Sequence, residues 1–493
     1  MPWFKENRFY FFIIILLLLI MALRTPLDSD MWWHLRAGEQ TWTSRQVYTQ
    51  DTFSFTRQGQ EWLNHSWLSQ VMMFLLFESG SYLALSIWVA VTVVSSMALI
   101  YFQMEGHPLL RGAILILAGA VASVVWSPRP QIMSLLFFGI LSYLLYLYKW
   151  RRKNYLGLLI PVFILWSNLH GGYALGIILL GTMIAGELFN KILSGNSDFD
   201  LGWNEIKVLL FWSALGILAV LVNPFGIGMW KIPFNTVGVV ALQDLISEWA
   251  SPDFHQLFQQ PMLWLLFLVF ISIGKSKQAI DGTDLVSLIV FSWFAFTARR
   301  NFGPFAMISA PIISRHLFTI VADWKKSNSG AEDKLNSLLS SSAGKVTSAT
   351  RNWINLIIIC LLLVAVGWKA AEVSKATFVS DKERELFPFE AVDILRNTEE
   401  PGRIFNEYNW GGYLIWHLRD YQIFVDGRTD LFGDEIIGVW THIMNASPGW
   451  EEKLNSWEVD YLLVSSDWPL RLVLDDSWEV IYSEGNTLLV KSP

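Results

Sequence analysis

Cysteine is nearly absent from this chain: Cys360 is its single instance, and it lies inside an apolar run. No intrachain disulfide and no thiolate metal site can therefore form. Charge is scarce too, with Asp, Glu, Lys and Arg making up 16% of the 493 residues against 53% hydrophobic residues and a mean hydropathy of +0.38. Such a composition excludes an ordinary soluble globule. No internal repeat of the solenoid type occurs. Two matching halves with short, Gly- or Pro-broken apolar segments are also missing, which ranks a transporter low. The net charge of −7 says little, because it sums residues on two sides of a membrane.

What is present are long apolar segments. The run Phe9–Leu23 follows Lys5 and Arg8 and lacks a small-residue cleavage signal, so it reads as a retained first span with a cytoplasmic N-terminus. Further spans are expected near 81–101, 110–126, 131–148, 155–169, 172–190, 207–222, 262–274, 283–298, 302–322 and 352–371, about eleven in all. Threaded alternately, they put Lys149, Arg151, Arg152, Lys153, Lys191, Lys207, Lys275, Lys277, Lys325, Lys326, Lys334, Lys345 and Arg351 on the cytoplasmic side. Trp67–Glu78 is apolar but short, and a crossing there would break this bias, so a helix lying in the outer interface is expected within an outer loop at 24–80. The Ser- and Lys-containing stretch 322–351 reads as a cytoplasmic linker.

Beyond Ala371 the composition becomes that of a soluble domain, 372–493, placed outside by the odd span count. Short strands are expected at Tyr421–Val425, Asp460–Val464 and Thr487–Val490, with helices at 386–397 and 434–445. The expected fold is a polytopic α-helical membrane domain, 1–371, followed by an extracytoplasmic α/β domain.

The polar residues that break the apolar pattern collect on the outer side. Asp28-Ser29-Asp30-Met31-Trp32-Trp33-His34-Leu35-Arg36 follows the first span, and Asp51, Trp62 and His65 lie in the same loop. Arg129, His170, Ser247-Glu248-Trp249 and Arg299-Arg300 stand at later span junctions. Ionisable groups at a membrane boundary are costly to keep there without a role. Arginine forks bind phosphate oxygens, while a carboxylate accepts a proton from a hydroxyl or holds a divalent cation. Plainer readings stand beside these: Arg299 and Arg300 snorkelling to headgroups, His170 as a turn residue, Asn223-Pro224-Phe225-Gly226 as a structural turn, and Trp32, Trp33, Trp62 and Trp67 as interface aromatics. Asp426-Gly427-Arg428-Thr429-Asp430 is either a self-paired turn or part of the outer vestibule, and Trp410 and Tyr413 either stack on a sugar or pack a core.

Asp30-Met31-Trp32-Trp33-His34-Leu35-Arg36 matches the acid, first aromatic and arginine of a D-P-W-F-N-Y-R loop, and Ser247-Glu248 before Pro252 matches a Ser-Glu pair. Asn409-Trp410-Gly411-Gly412-Tyr413, Val425-Asp426 and Asp460-Tyr461-Leu462-Leu463-Val464 echo W-W-D-Y-G, V-D and D-Y-V-L-V. In these motifs the chain resembles the GT-C superfamily of polytopic glycosyltransferases and, within it, the catalytic subunit of oligosaccharyltransferase. It departs from that pattern in two places. Arg129 is followed by Pro130-Gln131-Ile132-Met133-Ser134 instead of an acidic D-x-E, and Gly411-Gly412 replace the acid of the motif that reads a Ser or Thr acceptor. Simpler GT-C enzymes, which move one sugar, carry an acid or acid pair after the first span, as Asp28 and Asp30 do here.

The resemblance implies an inverting transferase in a bacterial inner membrane, using a polyprenyl-phosphate-linked sugar donor and a glycan, lipid or protein acceptor among membrane lipids, with no nucleic acid. Asp30, Asp28 and Glu248 are the expected catalytic residues, and Arg300, Arg299 and Arg129 the expected donor-phosphate ligands. His34, Arg36, Asp51, Trp62, His65, His170, Trp410 and Tyr413 are expected around the acceptor or sugar. A divalent cation, magnesium or manganese, on Asp30 and Glu248 stays open, and no organic cofactor is expected. The rival reading is a lipid-glycan-binding scaffold without chemistry, motivated by the missing D-x-E.

Overall fold

The computed structural model describes residues 2–192, 199–238, 246–327 and 348–493. Helices dominate it: α1 (Pro2–Ala22), α2 (Met31–Ser44), α3 (Trp67–Tyr101), α4 (Pro108–Ala122), α5 (Gln131–Arg151), α6 (Leu159–Leu169), α7 (Tyr173–Ile192) and α8 (Trp203–Ala219). After these come α9 (Ile232–Gly238), α10 (Gln260–Lys275), α11 (Gly282–Thr297), α12 (Phe302–Ser327) and α13 (Ser348–Val373). Among the described residues seven helices are long and apolar enough to cross a membrane, and three more, Arg8–Ala22, Leu156–Leu169 and Gly282–Thr297, are apolar but shorter. This is an integral membrane protein. Each segment expected to span lies on a helix, although Trp203–Ala219 meets neither standard.

At 35 residues, α3 is longer than a bilayer core requires. It breaks where Gly80 (φ −158°) and Ser81 (φ 50°) leave helical geometry, which separates Trp67–Ser79 from the apolar segment beyond. Ser81 in the left-handed region is uncommon for a residue with a Cβ. Trp67–Glu78, expected as a separate interfacial helix, is thus helical and set off by a kink from the segment that follows. The linker expected at 322–351 lies mostly outside the described residues, as do Lys334 and Lys345; its first part, 322–327, continues α12 as helix.

The C-terminal part begins with α14 (Ala376–Leu386) and α15 (Phe389–Arg396). A five-stranded sheet follows, ordered β2-β1-β3-β5-β4, from β1 (Arg403–Asn406), β2 (Gln422–Ile423), β3 (Tyr461–Ser465), β4 (Glu479–Glu484) and β5 (Thr487–Lys491). β1 pairs in parallel with β2 and β3, while β5 runs antiparallel to β3 and β4. The parallel pairs need helical crossovers, supplied by α16 (Gly411–His417), α17 (Thr429–Met444) and α18 (Trp450–Asn455). Two of the three expected strands match β3 and β5, but Tyr421–Val425 keeps only the two paired residues of β2. Beyond it the Phe424 N–H is shared between the Ile404 carbonyl and Asn406 Oδ1, and the Val425 N–H goes to that side chain.

α2 and the loop after it share one apolar core with this domain: Met31, Trp32, Leu35, Tyr48 and Phe53 are buried with Phe387, Tyr413, Leu414 and Ile423. The contact demands close backbone approach. A Cβ on Gly412 would lie 2.4 Å from the Ser29 carbonyl, and one on Gly411 would lie 2.2 Å from that of Val425. That steric limit explains why glycines stand where the related motif has an acid.

Candidate active site

The site begins with a turn. The Asp28 carboxylate accepts the Asp30 backbone N–H at 3.0 Å, and the chain then enters α2 with Asp30 at its N-cap. Asp30 makes no side-chain cap bond to the backbone of α2, so its carboxylate is left for side-chain partners. One oxygen accepts from Arg129 Nη1 at 2.8 Å and the other from Trp33 Nε1 at 3.3 Å. Arg129, from the short turn before α5, also meets Asp28 at 3.3 Å and forms an ion pair with Glu248. Three acids from two distant segments therefore converge on one guanidinium.

A cavity of about 580 Å³ is lined by Asp30, Arg129, Glu248 and Arg300 together with His34, His65 and His170. Asp30, Glu248 and Arg300 line this one cavity, while Arg299, the other member of the late arginine pair, does not. Arg300 has no carboxylate partner within ion-pair distance among the described residues; its guanidinium lies over the Trp249 ring, 4.3 Å from the centroid. Cation–π contact leaves the edge of that guanidinium available to an anion.

The other expected residues are placed as follows. Trp62 lines the cavity, donating Nε1–H to Asp430 at 3.2 Å. Arg299 points away and donates to the Ser247 carbonyl. Arg36 pairs with Glu39 at 2.7 Å, outside the cavity wall. Asp51 is 0% exposed and accepts from Arg428 at 2.6 Å, so it does not reach the cavity either. Trp410 donates to the Leu386 carbonyl, and Tyr413 stacks on Phe387 at 4.6 Å; both pack the core shared with α2. Gln70, Ser134, Trp249, Gly427 and Asp430 line the cavity without having been singled out as site residues. The Asp426–Asp430 stretch carried a signal for two of them, whereas nothing in the sequence marks Ser134.

Arg428 explains that stretch. Its Nε and Nη2 fork onto Asp426 at 2.9 and 2.6 Å while Nη1 holds Asp51, and all three side chains are fully buried. The turn is self-paired and also part of the vestibule, because Gly427 abuts Asp30. A Cβ on Gly427 would fall 1.8 Å from the Asp30 carboxylate oxygen. Among the described residues no three His, Cys, Asp or Glu side chains cluster as a cation site.

Burial pushes the Asp28 carboxyl up to about 6, with Arg129 opposing the shift and Asp30 and Glu248 adding to it. Burial also works against the Arg129 charge, but Asp28, Glu248 and Asp30 hold it above its ordinary range. For a carboxyl raised in the folded state, the stabilising contribution is present at low pH and lost as pH rises from its ordinary value, about 4, toward 6. Asp28→Asn is therefore expected to melt higher relative to the parent at about pH 7.5 than at about pH 5. Thermal denaturation at the two pH values checks this, and an equal difference at both would contradict it.

No protein-family model matches the chain, and no curated protein matches it by sequence. Its structure is similar to the Archaeoglobus fulgidus oligosaccharyltransferase tethered to an acceptor peptide containing the NVT sequon (TM-score 0.54, 13% identity, covering 94% of this chain and 70% of that one). It is similar also to the archaeal oligosaccharyltransferase AglB of the same organism with an inhibitory peptide and dolichol-phosphate (TM-score 0.53, 12% identity, 94% and 70%). ArnT from Cupriavidus metallidurans bound to undecaprenyl phosphate matches at TM-score 0.50 and 11% identity, over 99% of this chain and 98% of that one. At these identities the likeness concerns the fold alone, which the chain shares with these oligosaccharyltransferase and ArnT structures.

Proposed function

We propose that this protein transfers a sugar from a polyprenyl-phosphate-linked donor to an acceptor on the extracytoplasmic face of the membrane. The observation that carries the reading is the convergence of Asp30, Glu248, Arg129 and Arg300 on one cavity between the membrane helices and the C-terminal domain. Asp30 accepts the proton of the acceptor hydroxyl as that oxygen attacks the anomeric carbon. The bond from that carbon to the carrier phosphate breaks, and the phosphate leaves against the Arg300 guanidinium. One displacement with one base inverts the anomeric configuration. The reading includes no divalent cation, since Asp28, Asp30 and Glu248 all turn toward Arg129.

Undecaprenyl phosphate and dolichol-phosphate are named in the neighbouring structures, which supports a polyprenyl phosphate carrier here. A single-sugar acceptor reaction fits better than peptide transfer, because Gly411-Gly412 are packed on Ser29 and Val425 and hold no acid toward the cavity.

The test is reconstitution in liposomes with radiolabelled polyprenyl-phosphate sugars and a membrane extract as acceptor, followed by release of the bare carrier phosphate. No release with any donor would overturn the transferase reading. Arg300→Ala is expected to weaken binding of undecaprenyl phosphate by about tenfold to a hundredfold, the cost of one charge-assisted contact. Lipid-binding titrations in detergent measure it, and unchanged affinity would remove Arg300 from the phosphate.

A further inference from the structure

The imidazole and amide groups that line the cavity are chemically unlike the ion cluster. His170 ends α6, and its Nδ1 receives the Gly172 backbone N–H at 3.0 Å. Ser134 Oγ lies 2.7 Å from the same nitrogen and itself accepts the Trp166 indole N–H at 2.7 Å. A backbone amide and an indole can only donate, so the Ser134 hydrogen is left for Nδ1, and the ring proton must sit on Nε2. At His34 the Asn64 amide donates to Gln70 Oε1 at 2.7 Å, and Gln70 Nε2 in turn faces His34 Nδ1 at 3.2 Å. That ring too carries its proton on Nε2. Neither Nε2 has a protein partner among the described residues, and both rings line the cavity.

The same wall holds the complementary deficit. Asn64 is 0% exposed, and its Oδ1 has no partner among the described residues; nor does the buried Nδ1 of His65. His65 is held against this wall by Gly171, where a Cβ would lie 3.0 Å from its ring. A buried acceptor without a donor costs about 1–3 kcal/mol. An unpartnered buried acceptor, Asn64 Oδ1, and two N–H donors, His34 Nε2 and His170 Nε2, thus belong to residues that line one cavity, with the Trp33 ring tilted against that of His34 and the centroids 3.5 Å apart. Phosphate supplies only acceptors and an ammonium only donors, whereas a hydroxyl supplies both.

We infer that His34, Asn64, His65 and His170 form a subsite for the hydroxyl face of an uncharged sugar ring. The inference rests on the proposed function and adds the part of the substrate that this wall recognises. Burial and nearby positive charge hold the His34 and His170 rings well below the usual imidazole range, so they stay neutral donors across physiological pH and do not serve as the base.

The experiment uses the full-length protein in a detergent without a sugar headgroup. Methyl glucoside, mannoside, galactoside and N-acetylglucosaminide are offered in turn, with binding read by saturation-transfer NMR on ring protons. At least one glycoside is expected to bind. Its affinity is expected to fall about tenfold in His170→Phe and in the near-isosteric Asn64→Leu, while both variants bind undecaprenyl phosphate as the parent does. Melting temperature and elution volume confirm folding for each variant, so at least one serves as the reporter. No glycoside signal in the parent, or an unchanged signal in folded variants, overturns the subsite. Glycoside binding without any binding of the carrier phosphate would instead remove the proposed function and leave the subsite standing.

Discussion

Asp30→Asn is expected to reduce sugar transfer by about a hundredfold to ten-thousandfold, the range of a lost general base, with carrier binding and melting temperature retained. Three features single out this acid. The Asp28 carboxylate fixes the turn that carries it, the start of α2 makes no cap bond to its side chain, and Trp33 and Arg129 hold its two oxygens on the cavity wall. Asparagine keeps the volume and one acceptor but cannot take up a proton. Glu248→Gln is the control that separates base from ion-cluster member, since Glu248 reaches the same arginine from the other side. Transfer that survives Asp30→Asn would remove the assigned role. Carrier binding without turnover in the parent would favour a lipid-glycan scaffold.

Arg428→Met is expected to be the most destabilising single change in the outer region, at about 3–5 kcal/mol. The substitution leaves Asp51 and Asp426 as two uncompensated buried carboxylates. Burial already pushes the Asp426 carboxyl upward, and only Arg428 and its hydrogen bonds counter that. Adding Asp426→Asn to Arg428→Met is expected to recover part of the loss, because one of the stranded charges is then gone. Thermal melts and limited proteolysis of the loop 45–66 measure both. A melting temperature unchanged by Arg428→Met would show that the triad contributes nothing net.

These residues also show how far the chain could be read before its structure. The Asp28–Arg36 cluster, Glu248 and Arg300 were legible because hydrocarbon solvates no charge, so polar groups at span ends stand out against apolar flanks. Asp30, Glu248 and Arg300 line one cavity. Arg129 was legible as a site residue but not as the hub of three acids, since its partners lie 99 and 119 residues away and no local pattern encodes that pairing. Asp51 misled for the same reason: an acid in an outer loop reads as a pocket residue until Arg428, 377 residues on, is seen to hold it. The two-residue β2 shows a third limit. The run Tyr421–Val425 has strand chemistry, but the Asn406 side chain takes the N–H of Val425 and shares that of Phe424 with the Ile404 carbonyl. The break at Gly80–Ser81 falls just after the segment Trp67–Glu78 that the charge bias of the loops set apart from the next span.

The clamp between the first outer loop and the last domain sets an order on biosynthesis. Asp51, Thr56, Arg57 and Trp62 take their partners from Phe424, Arg428, Asp430, Phe432 and Glu435. During vectorial synthesis the loop emerges long before those partners are made. It must wait with Asp51 hydrated and its aromatics exposed while the later spans insert. A chain that ends before residue 428 therefore embeds its helices but leaves Asp51 without the guanidinium that compensates its charge.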